Sequence, residues 1–131
     1  MRLLLDTHVW LWALSTPADL SPSVADAILR ADEVVLSVAS VWELAIKCAI
    51  GRISLPGGLR PLVEEAVRAL DADLLKVDAD GALAAAALPL HHKDPFDRML
   101  VAQASLHQLT LVSADEAIRA YCVPILWARS A

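Results

Sequence analysis

Short, mostly apolar runs recur along this chain at helix-length intervals. They fall at residues 2–5 (Arg2 then Leu3 to Leu5), 34–37, 74–77 and 109–112, with a weaker one at 124–126. None keeps a strict apolar–polar alternation throughout. A strand exposed on one face would alternate, so these runs predict strands covered on both faces, as in a parallel sheet packed between helices. The intervening segments carry helix signals. One helix is predicted from about Thr7. Another is predicted from Ser21, as N-cap before Pro22, to about Arg30. A third spans 38–50 and is closed by Gly51. An amphipathic stretch at 59–70 follows a loop at 52–58. Further helices are predicted over 81–88, from Asp94-Pro95 to about His107, and over 114–120. Strands alternating with helices give an α/β fold. Its ligands are expected outside the carboxyl ends of the strands.

The 131 residues are expected to form one domain, 1–131. With 57% hydrophobic residues there is ample material for a core. No apolar run reaches the roughly 18 residues of a membrane span. No secretory leader is legible either, because Asp6 interrupts the first apolar run, so a cytoplasmic protein is expected. Cys48 and Cys122 lack metal-site spacing and read as buried thiols in a reducing compartment. The net charge of −5 is unusual for a chain that handles nucleic acid. Two divalent ions in a four-carboxylate site would bring −5 to −1, so the acidity does not exclude RNA.

The positions of certain acids carry the chemistry. Asp6 directly follows the first strand. Asp115 lies just past the fourth. Asp94 and Asp97 open the helix before it, and Glu43 sits one turn beyond the second strand, inside the apolar stretch Val41 to Ile46. Each acid also has a plainer role. Asp6 and Asp94 suit helix N-caps, and Asp97 suits a helix first turn. Ser113 and Glu116 have capping-box spacing, and Glu43 can pair with Lys47 four residues on. In a parallel sheet, however, all these acids fall on one edge. Clustered carboxylates repel one another unless cations fill the space between them. Mg²⁺ or Mn²⁺ takes such oxygen ligands, and metal-activated water cuts phosphodiesters.

These same residues resemble a known family. Asp6-Thr7, Ser40-Val41-Trp42-Glu43, the run His92 to Arg98 with Val101-Ala102-Gln103-Ala104, and Leu111 to Asp115 are similar in order and spacing to the PIN-domain nucleases, and among them to the VapC-type toxins of bacterial toxin–antitoxin pairs. The resemblance spans nearly the whole chain. It implies a PIN-like three-layer fold with a five-stranded parallel sheet in order 3-2-1-4-5. It implies an Mg²⁺- or Mn²⁺-dependent endoribonuclease acting on structured RNA such as tRNA or rRNA. It further implies a homodimer neutralised by a cognate antitoxin. Asp6, Glu43, Asp97 and Asp115 match the family's four acids as catalytic and metal-binding residues, Glu43 directly or through a water. Thr7, Ser113 and Asp94 are expected to support them.

Lys93, Arg98, Lys47 and Arg52 are candidate phosphate contacts, with Lys93 and Arg98 flanking the site. His91 and His92 read as a surface pair rather than metal ligands. Trp10, Trp12, Trp42 and Trp127 read as core or dimer packing. Asp71, Asp73, Asp78 and Asp80 read as a solvated turn. Two other functions share parts of the pattern. An aspartyl-phosphate phosphatase or phosphotransferase also places Asp after its first strand. It commonly adds a second Asp two residues on, where this chain has His8, and a late lysine, whereas none follows Lys93. A non-catalytic metal- or peptide-binding module could keep the fold and the acids.

Overall fold

The structure is a computed structural model and describes residues 1–128. Five strands form one parallel sheet: β1 (Arg2–Leu5), β2 (Glu33–Ser37), β3 (Ala72–Leu75), β4 (Thr110–Ser113) and β5 (Ile125–Trp127), in the order β3-β2-β1-β4-β5. Six α-helices connect them: α1 (Thr7–Ser15), α2 (Pro22–Arg30), α3 (Val38–Ala49), α4 (Leu59–Ala69), α5 (Ala79–Ala87) and α6 (Pro95–His107). Short 3₁₀ turns lie at Pro17–Asp19 and Glu116–Ala120.

The central strand explains the apolar runs. Leu3, Leu4 and Leu5 are each wholly buried, and successive side chains leave opposite faces. Leu3 and Leu5 join Val34, Leu36 and Val112 beneath α1 to α4, where Val9, Trp10, Val24 and Leu44 complete the layer. Leu4 joins Val35 and Leu111 on the other face, against Leu100, Val101 and Ala104 of α6. Three layers with helices on both faces result, as expected. No helix among the described residues is long and apolar enough to cross a membrane.

Register brings the chemistry to one edge. Leu5 pairs with Leu36 on one side and Val112 on the other. The residues that follow, Asp6, Ser37 and Ser113, therefore emerge together, and the Asp6 amide donates to the Val112 carbonyl at 3.0 Å. Several local expectations need correction. Strand β3 runs over 72–75 rather than 74–77, because pairing of Val34 with Ala72 through Ser37 with Leu75 sets its ends. Ser21 precedes α2, but its hydroxyl lies against that of Ser23 and caps no helix amide. Asp78 is exposed as expected, but it also caps α5 by accepting from the Gly81 amide at 2.8 Å. Cys48 is only half-buried and Cys122 is exposed. Trp10 is core, whereas Trp42 is 63% exposed.

Candidate active site

Asp6 ends β1 and caps α1 at once. Its Oδ1 accepts from the Val9 amide at 3.0 Å, while Oδ2 accepts from the Ser113 hydroxyl at 2.6 Å. The plainer role and the site role thus use different oxygens of one carboxylate. Ser113, at the end of β4, also accepts from the Asp115 amide at 3.0 Å, so one hydroxyl orients two acids. Asp115 caps the following 3₁₀ turn through Oδ1, leaving Oδ2 to face the cleft.

Glu43 is buried on α3 and fully partnered. Thr7 donates to its Oε1 at 2.8 Å, and Lys47 donates to its Oε2 at 2.6 Å. Burying that carboxylate without partners would cost several kcal/mol on the order of what a buried charge demands. Asp94 caps α6 through Oδ1, accepting from the Phe96 and Asp97 amides at 2.8 and 3.4 Å. It thereby fixes Asp97 in the first turn.

His92 is not plain surface. Its Nε2 lies 2.9 Å from Asp97 Oδ2 and 3.0 Å from Asp115 Oδ2. The three ligand-capable atoms fall within 4.8 Å of one another. His91, by contrast, is exposed, and its ring packs edge-on against Tyr121. Nothing local distinguishes two adjacent loop histidines. The difference is made by the Tyr121 hydroxyl, which accepts from the His92 amide at 3.0 Å from 29 residues away.

Asp6, Glu43, Lys47, His92, Asp94, Asp97 and Asp115 line one cleft of about 300 Å³, together with His8 and Trp12. Its electrostatics are those of crowded acids. Burial, then repulsion from Asp94, Asp6 and Asp115, pushes the Asp97 carboxyl up to about 7, against the pull of His92. Burial raises Asp6 as well, although the Ser113 and Val9 hydrogen bonds oppose it. For Asp115 burial is outweighed by bonds from the Ala117 amide and His92, so its carboxyl is held below the usual range. His92 is shifted upward, since Asp115 and Asp97 more than offset its own desolvation. The donor set suits a hard divalent cation: carboxylate oxygens plus one imidazole, mutually repelling and set in a concave opening.

Arg98 is spent elsewhere. Its guanidinium donates to the carbonyls of Ala85, Ala86, Leu88, Pro89 and His92 and to the Tyr121 hydroxyl, at 2.9 to 3.5 Å. It closes the carboxyl end of α5 and fastens the His92 loop, which commits both terminal nitrogens of the guanidinium. Arg98→Ala is expected to cost about 2–4 kcal/mol, because several carbonyls lose a charged donor together. Arg98→Lys should recover little, since a point charge cannot reproduce the fork. Urea unfolding of both variants measures this, and an unchanged midpoint for Arg98→Ala would remove the clamp from the account.

Comparison with known proteins agrees with this geometry. Residues 3–124 match the PIN domain family. Over 126 residues the chain is 34% identical to Ribonuclease VapC22 of Mycobacterium tuberculosis, covering 92% of each. Among solved structures, VapBC2 from Rickettsia felis bound to a promoter DNA fragment superposes with a TM-score of 0.74 at 11% identity, covering 98% of this chain and 99% of that one. DNA-bound VapBC from Salmonella typhimurium gives 0.72 at 15% identity, over 97% and 98%.

Proposed function

The chain belongs to the PIN-domain family, in its VapC branch, and from that membership we propose that it is a metal-dependent endoribonuclease that cuts structured RNA and is held inactive by a cognate antitoxin. The observation that carries this reading is the convergence of Asp6, Glu43, Asp97 and Asp115, from four different elements, into one cleft. Family membership also sets the aspartyl-phosphate alternative aside.

Asp6, Asp97 and Asp115 would hold Mg²⁺ or Mn²⁺, with Glu43 reaching it directly or through a water. Such a cation supplies the charge that activates water and stabilises the leaving oxygen. The chain's own groups do the orienting. Ser113 and the Val9 amide fix both oxygens of Asp6. Thr7 and Lys47 fix those of Glu43, and Asp94 fixes the turn that carries Asp97. Because water supplies the attacking oxygen, the RNA 2′-hydroxyl is not consumed. Products are expected to carry a 5′-phosphate and a 3′-hydroxyl. Incubation with mixed tRNA and rRNA in Mg²⁺, with and without chelator, tests the reading. Chelator-insensitive cleavage, or 2′,3′-cyclic phosphate ends, would overturn the mechanism.

Two partners belong to the same proposal. An acidic cleft accepts a guanidinium or ammonium from an antitoxin, because Arg pairs two carboxylate oxygens at once. A second copy of the chain covers the apolar face of Val38, Trp42, Val77 and Met99. Light scattering of the protein alone should read a dimer. Co-expression with the product of the neighbouring reading frame should yield a stable, inactive complex in the cytoplasm. A monomer that gains no such complex would remove both partners.

A further inference from the structure

A second groove of about 360 Å³ opens beside the acidic cleft and shares Glu43, Lys47 and Asp94 with it. Its floor is apolar, made by Ile46, Ile50 and Phe96. Ile46 is 37% exposed and Ile50 64%, so together with Phe96 they present an apolar patch rather than a single exposed side chain. Its rim is cationic, made by Lys47, Arg52 and Lys93. Lys47 is committed to Glu43. Arg52 and Lys93 are exposed, and among the described residues neither has an ion-pair partner.

The position of Arg52 is built in. The carboxyl end of α3 closes with the Arg52 amide donating to the Lys47 carbonyl at 2.9 Å and the Gly51 amide donating to that of Cys48 at 3.2 Å. That closure needs the left-handed backbone of Gly51, at φ +77°, which a side chain would strain. The turn sets Arg52 on the same rim as Lys93, which comes from the loop ahead of α6. In a chain of net charge −5, two unpaired cations therefore flank an exposed apolar floor that leads out of the acidic cleft. Flat apolar faces joined to negative charge at short spacing are the chemistry of a nucleotide.

We propose that this groove holds the nucleotide adjacent to the scissile phosphodiester, its base against Ile46, Ile50 and Phe96 and its phosphate against Arg52 and Lys93. The groove then sets which base is tolerated beside the cut. This inference rests on the nuclease reading of the neighbouring cleft. An acidic amphipathic helix from a protein partner could meet the same surface. Continuity with the cleft favours RNA, because a strand whose phosphate sits among the acids must leave along a neighbouring groove.

The test uses as probe a library of RNA hairpins whose single-stranded loops are randomised. With Mg²⁺, the wild-type protein should show a base preference at one position beside the cut, read by sequencing product ends. Ile50→Ala should flatten that preference. The double variant Arg52→Ala/Lys93→Ala should raise KM by about tenfold and change kcat less than about twofold, since these contacts position without touching the reacting atoms. In an Asp97→Asn background, which binds without turning over, removing both cations should make the salt dependence of RNA affinity shallower by about 1.4 in log–log slope. Unchanged KM, slope and cut-site pattern, while the wild type cleaves, would overturn the groove alone. Loss of the antitoxin complex with RNA parameters intact would assign the groove to a protein and overturn it too. If the wild type does not cleave, the nuclease reading fails, and the salt slope still decides whether the groove binds RNA.

Discussion

Asp97→Asn is expected to abolish metal-dependent RNA cleavage, by about three orders of magnitude or more, and at the same time to yield a more heat-resistant metal-free protein. The loss follows from removing a ligand charge whose contribution to the transition state is several kcal/mol, at about 1.4 kcal/mol per factor of ten. The gain follows from relief of repulsion, because at neutral pH Asp97 faces Asp94, Asp6 and Asp115 across a partly desolvated cleft. Asparagine keeps an oxygen for His92 and leaves the Asp94 cap untouched. A rise in Tm of about 3–6 °C, worth roughly 1 kcal/mol in a domain of this size, is the expected signature. Asp6→Asn should lose comparable activity, with a smaller gain in stability because its Oδ2 loses a charge-assisted bond from Ser113. An Asp97→Asn protein that turns over at near wild-type rate in saturating metal would place the chemistry elsewhere.

The second large effect is in pH. Asp97 titrates at about 7 in the folded chain against 3.8 unfolded. The folded state therefore binds its proton more tightly, and metal-free stability should fall as pH rises from about 4 to about 7. Asp6 is shifted in the same sense. His92 acts in the same direction. Its raised affinity for a proton stabilises the fold below its ordinary value, and that stability is lost as pH rises through the raised one. Asp115 has the opposite sign, but its stability is lost only as pH falls through its lowered value, below this window. Mg²⁺ or Mn²⁺ competes with these protons. Metal binding near pH 6 to 7 should release about one proton, and the thermal shift it produces should grow with pH. At a hundredfold excess over Kd the stabilisation is about 2.7 kcal/mol, or about 10 °C. Differential scanning fluorimetry across pH, with and without Mn²⁺, measures both slopes. A Tm indifferent to metal at every pH would dissolve the proposed site.

Much of this arrangement was readable beforehand, and the misreadings have physical causes. Central strands announce themselves, since Leu3 to Leu5 must be apolar at every position to be covered twice. The edge strand β3 does not. Asp73 is exposed and Leu74 is 44% exposed, so its apolar signal slides toward Lys76 and Val77, and only pairing with β2 fixes it. The acids were legible because strand ends in a parallel sheet share an edge. Their hydrogen bonds were not, because Thr7 and Glu43, or Ser113 and Asp6, meet across 36 and 107 residues. The surroundings of His92 and Arg98 were not legible for one reason. A side chain's role here is decided by Tyr121 and the end of α5, which the local sequence does not mention.

The central position of β1 has a consequence for timing. Asp6 leaves the ribosome first among the four acids, yet its partner hydroxyl on Ser113 is 107 residues behind it. Half of the hydrogen bonding along β1 likewise waits for β4, which pairs with it last. Until Thr110–Ser113 has been synthesised and has inserted beside β1, Asp6 has neither Ser113 nor Asp115 beside it. A growing chain therefore cannot assemble the cleft before its last quarter has been made. Latency during synthesis is a property of the strand order itself, in force before any second protein arrives.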